Sequence, residues 1–301
     1  MIASLCIPFE GQPHQATWMA WPFDDSDNGW AGFLQPARQE YARLVEAVAQ
    51  CEQVELLYND AESLDSARVL LQSWQNVRAH QLPLNDVWLR DSGPIFAHGP
   101  TGLVGLVHQF NAWGGKYPHQ NDSQVGQQIC SLCEPALAVV RRTSLTIEGG
   151  AFEFDGQGHC LTTVPCLLGP TRNPELNQQQ IESALADHLG VSRWTWLEHG
   201  LIGDHTDGHI DTLARFVDPS TVLACSAPPS GPARAAPAGR YWSSWPSPAT
   251  SCSASSQGER DGSAELNLRL QRRQLPRRAP RPHLGRQHVV GLALRRAPPA
   301  P

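Results

Sequence analysis

Three acid–glycine segments recur along the chain at nearly equal spacing, and each leads into an apolar strand, a tight turn and a second strand. Their acids are Asp91, Glu148 and Asp207, which lie 57 and 59 residues apart (148 − 91 and 207 − 148). Recurrence of one supersecondary unit at a fixed period indicates radial or stacked repetition of that unit. Radial copies would bring equivalent strand ends, and with them the acids, together at one end of a central axis.

Hydrophobic periodicity and turn residues predict the elements around these segments. The pattern predicts strands at residues 16–21, 54–58, 77–82 and 194–197, helices at residues 36–50, 61–75, 125–138 and 173–189, and hairpins within residues 95–110, 151–164 and 212–225. The alternation of strands and helices indicates an α/β fold.

The third segment, GDHTDGHID at residues 203–211, holds three carboxylates and two histidines directly before a strand-like run. Burying uncompensated charge beside such a strand is unfavourable. A cluster of this kind therefore often binds a metal, a cationic ligand or a substrate that exchanges protons. A solvated polar turn before the strand explains the same residues equally well, so this segment alone leaves both interpretations open.

Charge divides the chain into two parts. Residues 1–226 carry 11 basic and 26 acidic side chains, a net charge of −15, whereas residues 227–301 carry 12 and 3, a net charge of +9. An acidic body suits a small cationic ligand better than nucleic acid. There is no apolar run of about 20 residues, which argues against a membrane span. The absence of a basic, apolar leader and the eight sparse cysteines predict a cytoplasmic protein with reduced thiols.

Composition also changes at residue 227. Residues 227–301 contain 12 of the 25 prolines and 12 of the 22 arginines. One interpretation is a basic disordered tail, and the other is a change of translation frame in a GC-rich gene. The change falls midway through a repeated unit, which favours the frame change. We therefore expect a domain at residues 1–226 and an aberrant tail at residues 227–301.

Acids at converging strand ends could hold a guanidinium group, because its paired N–H donors match carboxylate oxygens. Trp88 could cover an attached alkyl arm or stack on the planar group. Each residue also has an ordinary structural explanation. Trp88 could be a core aromatic, Asp91 a salt-bridge partner of Arg90, and Glu148 an acid at a strand end.

Four motifs carry a family resemblance: NDVWLRDSGP at residues 85–94, FNAWGGKY at 110–117, IEGG at 147–150 and DHTDGHID at 204–211. Together with TWMAWP at residues 17–22, they are similar to agmatine deiminases, which are close relatives of the Porphyromonas-type peptidylarginine deiminases. The resemblance covers about residues 1–226 in order. It implies the α/β propeller of the pentein type, built from five ββαβ units, with the last unit incomplete in this chain.

The resemblance also implies roles for the site residues. Asp91 and Asp211 would hold the guanidinium, and Trp88 would line the pocket. Glu148 would orient His209, which would protonate the leaving ammonia and then accept a proton from the incoming water. A cysteine thiolate would attack the guanidinium carbon and form a covalent amidino intermediate. The family chemistry converts agmatine to N-carbamoylputrescine, a step towards polyamines, and needs no metal or cofactor.

The chain departs from the family at the nucleophile, which the family places near its C-terminus in a glycine-rich segment ending His-Cys. Cys225 falls on a predicted strand and Cys252 in a serine-rich stretch, and neither has that context. We therefore expect the 301-residue chain to lack the nucleophilic cysteine, to be inactive or nearly so, and to be marginally stable.

Three other functions remain open at this stage. A metallohydrolase could use His205, Asp207, His209 and Asp211, although Gly208 argues against the helix that such a histidine spacing would need. A non-catalytic protein could bind guanidines or polyamines. A deiminase could act on peptidyl-arginine instead of agmatine. Neither nucleic acid nor membrane is an expected partner, and a homo-oligomer is left open.

Overall fold

The computed structural model describes residues 5–24, 29–134 and 136–225, so the tail predicted at residues 227–301 lies outside the described residues. The described residues form these strands: β1 (Ala16–Ala20), β2 (Gln53–Tyr58), β3 (Val77–Gln81), β4 (Ile95–Gly99), β5 (Gly102–Gln109), β6 (Leu137–Thr146), β7 (Glu153–Phe154), β8 (His159–Thr163), β9 (Arg193–Leu197), β10 (Ala214–Asp218) and β11 (Thr221–Ala224). The helices are α1 (Leu34–Ala49), α2 (Ala61–Leu70), α3 (Leu89–Ser92), α4 (Ala112–Gly115), α5 (Asp122–Leu132), α6 (Val164–Leu167) and α7 (Gln178–Leu189).

The strands form four small sheets. Strands β1, β2 and β3 are parallel. The sheets β4-β5-β6 and β7-β8-β9 share one pattern, an antiparallel hairpin followed by a parallel third strand. Strands β10 and β11 form a third hairpin. The three predicted hairpins are therefore confirmed, and two of them extend into the same three-stranded unit.

Apolar faces of the helices cover these sheets. Helices α1 and α2 contribute Val45 and Ala67 to a buried cluster with Trp21 and Leu56. A larger core lies under the two three-stranded units and includes apolar residues of β5, β8 and α7. In the described part of the chain, no helix combines the length and hydrophobicity needed to cross a membrane.

The prediction of a helix through residue 138 was wrong in its second half. Helix α5 ends at Leu132, and β6 begins at Leu137. The sequence has a proline at position 135, which cannot donate the backbone hydrogen bond that a continuing helix needs. The β-branched pair Val139 and Val140 then suits an extended strand.

Two other predicted helix bounds were also wrong. Helix α2 ends five residues earlier than expected, and Ser73 accepts a local hydrogen bond from the backbone N–H of Gln75 instead. Helix α7 starts after Asn177, whose side chain forms a capping box with Gln180. Asn173, placed by the sequence in the first turn, instead exchanges two hydrogen bonds with the backbone of Thr146.

A buried histidine makes the fold sensitive to acid. His188 on α7 is 6% exposed. Its pKa is lowered to about 4 by burial, with smaller contributions from His108 and Arg141. An unfolded histidine has a pKa near 6.5, so the unfolded chain takes up this proton first as the pH falls. The stabilising effect of neutral His188 is thus complete above about pH 6.5 and is lost as the pH falls towards 4.

We expect His188→Gln to reduce the acid-induced loss of stability by up to about 3 kcal/mol. Urea unfolding between pH 7 and pH 4 measures this difference. His98→Gln, at an exposed position on β4, is the matched control and should retain the wild-type pH dependence. Equal acid sensitivity of His188→Gln and the wild type would contradict the assignment.

Candidate active site

Three of the predicted residues surround one small volume next to Gly150. A methyl group at Gly150 would lie 2.4 Å from His209 Nδ1, 2.7 Å from Asp91 Oδ1 and 2.8 Å from Asp211 Oδ2. The backbone N–H of Gly150 also donates to Asp91 Oδ1 over 3.1 Å. The fold thus brings together the acid of the first segment, the glycine of the second and the His-x-Asp pair of the third.

His209 is the centre of this cluster and is 2% exposed. Its Nδ1 lies 3.7 Å from Asp91 Oδ1, and its Nε2 lies 3.6 Å from Glu148 Oε2. Burial acts to lower the pKa of His209, but the charge of Asp91 and contacts with Cys166 and Glu148 outweigh it and raise that pKa well above the ordinary value. These contacts favour the protonated imidazole.

For the two aspartates of this site, burial outweighs the neighbouring charges. Burial is the main cause that raises the pKa of both Asp91 and Asp211, and the charge on His209 only partly offsets it. Desolvated carboxylates with too little nearby positive charge behave in this way. A cationic group bound between them would supply the missing charge.

Glu148 is held by an arginine that the sequence did not single out. Arg172 donates from Nε to Glu148 Oε1 over 2.6 Å, and both side chains are fully buried. The same guanidinium donates to the backbone carbonyl of Thr206 and to Asp207 Oδ2, each over 3.1 Å. Arg172 therefore ties Glu148 to the loop that carries His209.

That loop is shaped by hydrogen bonds to one aspartate. Asp204 Oδ2 accepts from the backbone N–H groups of Gly208 and His209, and from the hydroxyl of Thr206. Asp207 and Gly208 both have positive φ values, 66° and 106°. Glycine adopts such backbone easily and aspartate tolerates it, so the sequence permits the sharp turn that directs His209 inward.

A second unpredicted residue reaches Asp91 from a left-handed turn. Every residue of α4 has positive φ, including the non-glycine residues Ala112 and Trp113 at 51° and 57°. The indole Nε1 of Trp113 donates to Asp91 Oδ2 over 3.1 Å. Backbone in this region is strained for residues with a side chain and is concentrated at functional sites. The strained turn thus positions a hydrogen-bond donor on the site carboxylate.

The other predicted residues make different contacts. Trp88 precedes α3 and is 38% exposed. Asp207 pairs with Lys116 over 2.6 Å, and His205 Nδ1 lies 3.1 Å from the Tyr117 hydroxyl. The residues considered for a metallohydrolase are thus divided between two environments. Asp207 and His205 contact the loop after α4, whereas His209 and Asp211 line the volume at Gly150.

Comparisons with known proteins show the family of the chain. The family model of the Porphyromonas-type peptidyl-arginine deiminases matches residues 6–250, and the chain belongs to this family. A protein of Legionella pneumophila (strain Paris) is 42% identical over 219 residues, which cover 72% of this chain and 62% of that protein. The agmatine deiminase of Stutzerimonas stutzeri is 37% identical and is covered over 59% of its length, against 72% of this chain.

Solved structures of deiminases match a similar share of this chain. The agmatine deiminase of Enterococcus faecalis superposes with a TM-score of 0.67 at 32% identity, covering 73% of this chain and 60% of that one. The fold is therefore the mixed α/β fold of these deiminases. The chain spans about three fifths of the length of the curated relatives that it matches.

Proposed function

We propose that this chain carries the guanidinium-binding and acid–base residues of an agmatine-deiminating hydrolase. The observation that carries the proposal is the convergence of Asp91 Oδ1, Asp211 Oδ2 and His209 Nδ1 on the space beside Gly150. Two carboxylates can accept the paired N–H groups of a guanidinium. The imidazole is then beside the nitrogen that must leave.

In the reaction, a cysteine thiolate attacks the guanidinium carbon of agmatine, and one C–N bond breaks. His209 gives its proton to the departing nitrogen, which leaves as ammonia. His209 then takes a proton from water as the water oxygen attacks the amidino carbon. The thiolate departs and N-carbamoylputrescine forms. Glu148, fixed by Arg172, supports the imidazolium from the opposite ring nitrogen.

We further propose that the attacking cysteine comes from outside residues 5–225. Cys166 contacts Glu148 and His209, but burial raises the pKa of its thiol, which opposes formation of the thiolate that a nucleophile needs. Cys225 is exposed and its thiol donates to the backbone of Thr212. Cys252, beyond residue 225, stands in a serine-rich stretch without the glycine-rich His-Cys context of the family, so we expect the 301-residue chain to bind agmatine without steady turnover.

The same proposal covers architecture and location. Sheets β4-β5-β6 and β7-β8-β9 repeat one strand pattern, and β10-β11 starts a further copy. This supports a pentein propeller for residues 1–226, with residues 227–301 as a separate tail. We propose a cytoplasmic enzyme of polyamine synthesis, and its small cationic substrate requires neither nucleic acid nor a membrane.

An acidic cavity favours agmatine over peptidyl-arginine as substrate. A cavity of about 110 Å³ adjoins Trp113 and has Asp24, Asp86 and Asp122 in its wall. Burial, followed by the charges of neighbouring aspartates, raises the pKa of Asp86 to about 6. A positively charged group bound in this cavity, in addition to the guanidinium at Asp91 and Asp211, would relieve this excess of negative charge. Agmatine has a terminal ammonium, whereas the backbone of peptidyl-arginine is neutral there.

Calorimetry and ammonia release by the purified chain test the proposal. We expect saturable agmatine binding, weakened about tenfold or more by Asp211→Asn because a charged hydrogen bond is lost. Asp86→Asn should reduce the ratio of the affinity for agmatine to the affinity for an arginyl peptide. Asp65→Asn on the exposed face of α2 is the control. Absence of agmatine binding by the folded chain would overturn the proposed site, and steady ammonia release would overturn the external nucleophile.

A further inference from the structure

One buried cluster combines three different metal-binding side chains. We call Glu148, Cys166 and His209 the Glu–Cys–His cluster, and all three are at most 2% exposed. Their donor atoms lie within 4.8 Å of one another. Glu148 Oε2 is 3.8 Å from Cys166 Sγ and 3.6 Å from His209 Nε2.

These separations fit a tetrahedral metal centre. Zinc binds imidazole nitrogen and carboxylate oxygen at about 2.0–2.1 Å and thiolate sulfur at about 2.3 Å. Tetrahedral angles then place pairs of ligand atoms about 3.3–3.6 Å apart. The two measured pairs exceed this range by no more than a few tenths of an ångström, and the third pair, Cys166 with His209, lies within 4.8 Å.

The hydrogen bonding of the cluster also points to a missing partner. His209 Nε2 is buried and lies 3.6 Å from Glu148 Oε2, at ion-pair distance, but it has no hydrogen-bond partner within the described residues. Buried polar atoms normally have one. Arg172 already occupies Glu148 Oε1 and leaves Oε2 directed towards the imidazole. This is the arrangement in which an outer hydrogen bond orients a metal-ligating carboxylate.

We propose that Glu148 Oε2, Cys166 Sγ and His209 Nε2 form a site for a zinc-type transition-metal ion, with one coordination position left open. The mixed donor set of sulfur, nitrogen and oxygen selects zinc or cobalt over magnesium or calcium. Binding releases the thiol proton and any proton on Nε2, because both atoms must offer a lone pair.

The site would oppose the family chemistry and not assist it. A metal on Nε2 takes the place of the proton there, so His209 would keep only its Nδ1 proton and would no longer be the cationic acid that protonates the leaving nitrogen. Zinc would therefore inhibit any deiminase reaction at this centre. The inference is independent of the proposed substrate, because it concerns the side of His209 that faces away from Asp91.

Cobalt titration of the metal-free full chain tests the site. A thiolate bound to Co²⁺ gives an intense near-ultraviolet charge-transfer band, and we expect it to saturate at about one equivalent and to vanish when zinc displaces cobalt. Cys166→Ser and His209→Gln should each abolish the band. Cys160→Ser changes another buried cysteine, on β8, and should retain it.

Either of two outcomes would overturn the proposed metal site: no band in the wild-type chain, or a band that survives Cys166→Ser or His209→Gln. Because Cys166→Ser and His209→Gln remove different ligand atoms, either folded variant is decisive if the other unfolds. Agmatine calorimetry on the same metal-free sample reports on the proposed function separately. Metal binding without agmatine binding, or the reverse, distinguishes the two proposals.

Discussion

Arg172→Met should lower the free energy of unfolding by about 3–5 kcal/mol, because it leaves a buried carboxylate without its ionic partner. Arg172 and Glu148 are both fully buried and are joined by a hydrogen bond of 2.6 Å. The substitution also removes the donor to the backbone carbonyl of Thr206. Methionine fills most of the volume, so the lost charge accounts for most of the effect. Urea unfolding measures it.

Two further variants make this result specific. Arg142→Met removes an arginine that is bonded to Gln127 at the surface, and should change stability by no more than about 0.5 kcal/mol. The double variant Arg172→Met/Glu148→Gln should be more stable than Arg172→Met alone, because the buried carboxylate that lost its arginine is replaced by a neutral amide. If Arg172→Met unfolds at the same urea concentration as Arg142→Met, the buried pair does not stabilise the site as described.

Gly150→Ala should reduce agmatine affinity by at least about 100-fold, which corresponds to losing two charge-assisted hydrogen bonds. The added methyl would lie within 2.8 Å of polar atoms of Asp91, His209 and Asp211. These atoms must move apart, and the methyl occupies the space assigned to the guanidinium. The affinity follows from calorimetry on the folded variant.

Gly203→Ala is the matched control for this substitution. Gly203 has a φ of 75° but open space around its Cα. Alanine there is strained by about 1–2 kcal/mol in the left-handed region, so stability should fall while agmatine affinity is retained. Wild-type affinity in Gly150→Ala would show that the guanidinium does not lie beside this glycine.

The sequence predicted only those residues of the candidate site that belong to the repeated acid–glycine segments before the hairpins. Asp91, Glu148 and the His-x-Asp pair each stand beside a strand entry, so their spacing predicted that they would meet. Trp113 and Arg172 have no such signal. Trp113 reaches Asp91 through a strained left-handed turn, and Arg172 follows α6 in an irregular segment. Propensity rules do not foresee either position.

The strands and helices also include some that the sequence predicted and some that it did not. The hairpins were predictable because their turns and alternating apolar residues are adjacent in sequence. The end of α5 and the whole of β6 were misjudged, because an apolar run fits both a helix face and a strand. Pairing with β5 resolves that ambiguity in favour of the strand.

What the amino-acid order encodes locally is therefore the set of hairpins, the acids that begin them and the family to which they belong. What tertiary packing alone decides is which buried partners those acids acquire. The Arg172–Glu148 bond spans 24 residues and the Trp113–Asp91 bond spans 22. The distance and orientation of separate elements decide which side chains pair. Each pairing then contributes strongly to stability, because an unpaired charge in a buried position is unfavourable.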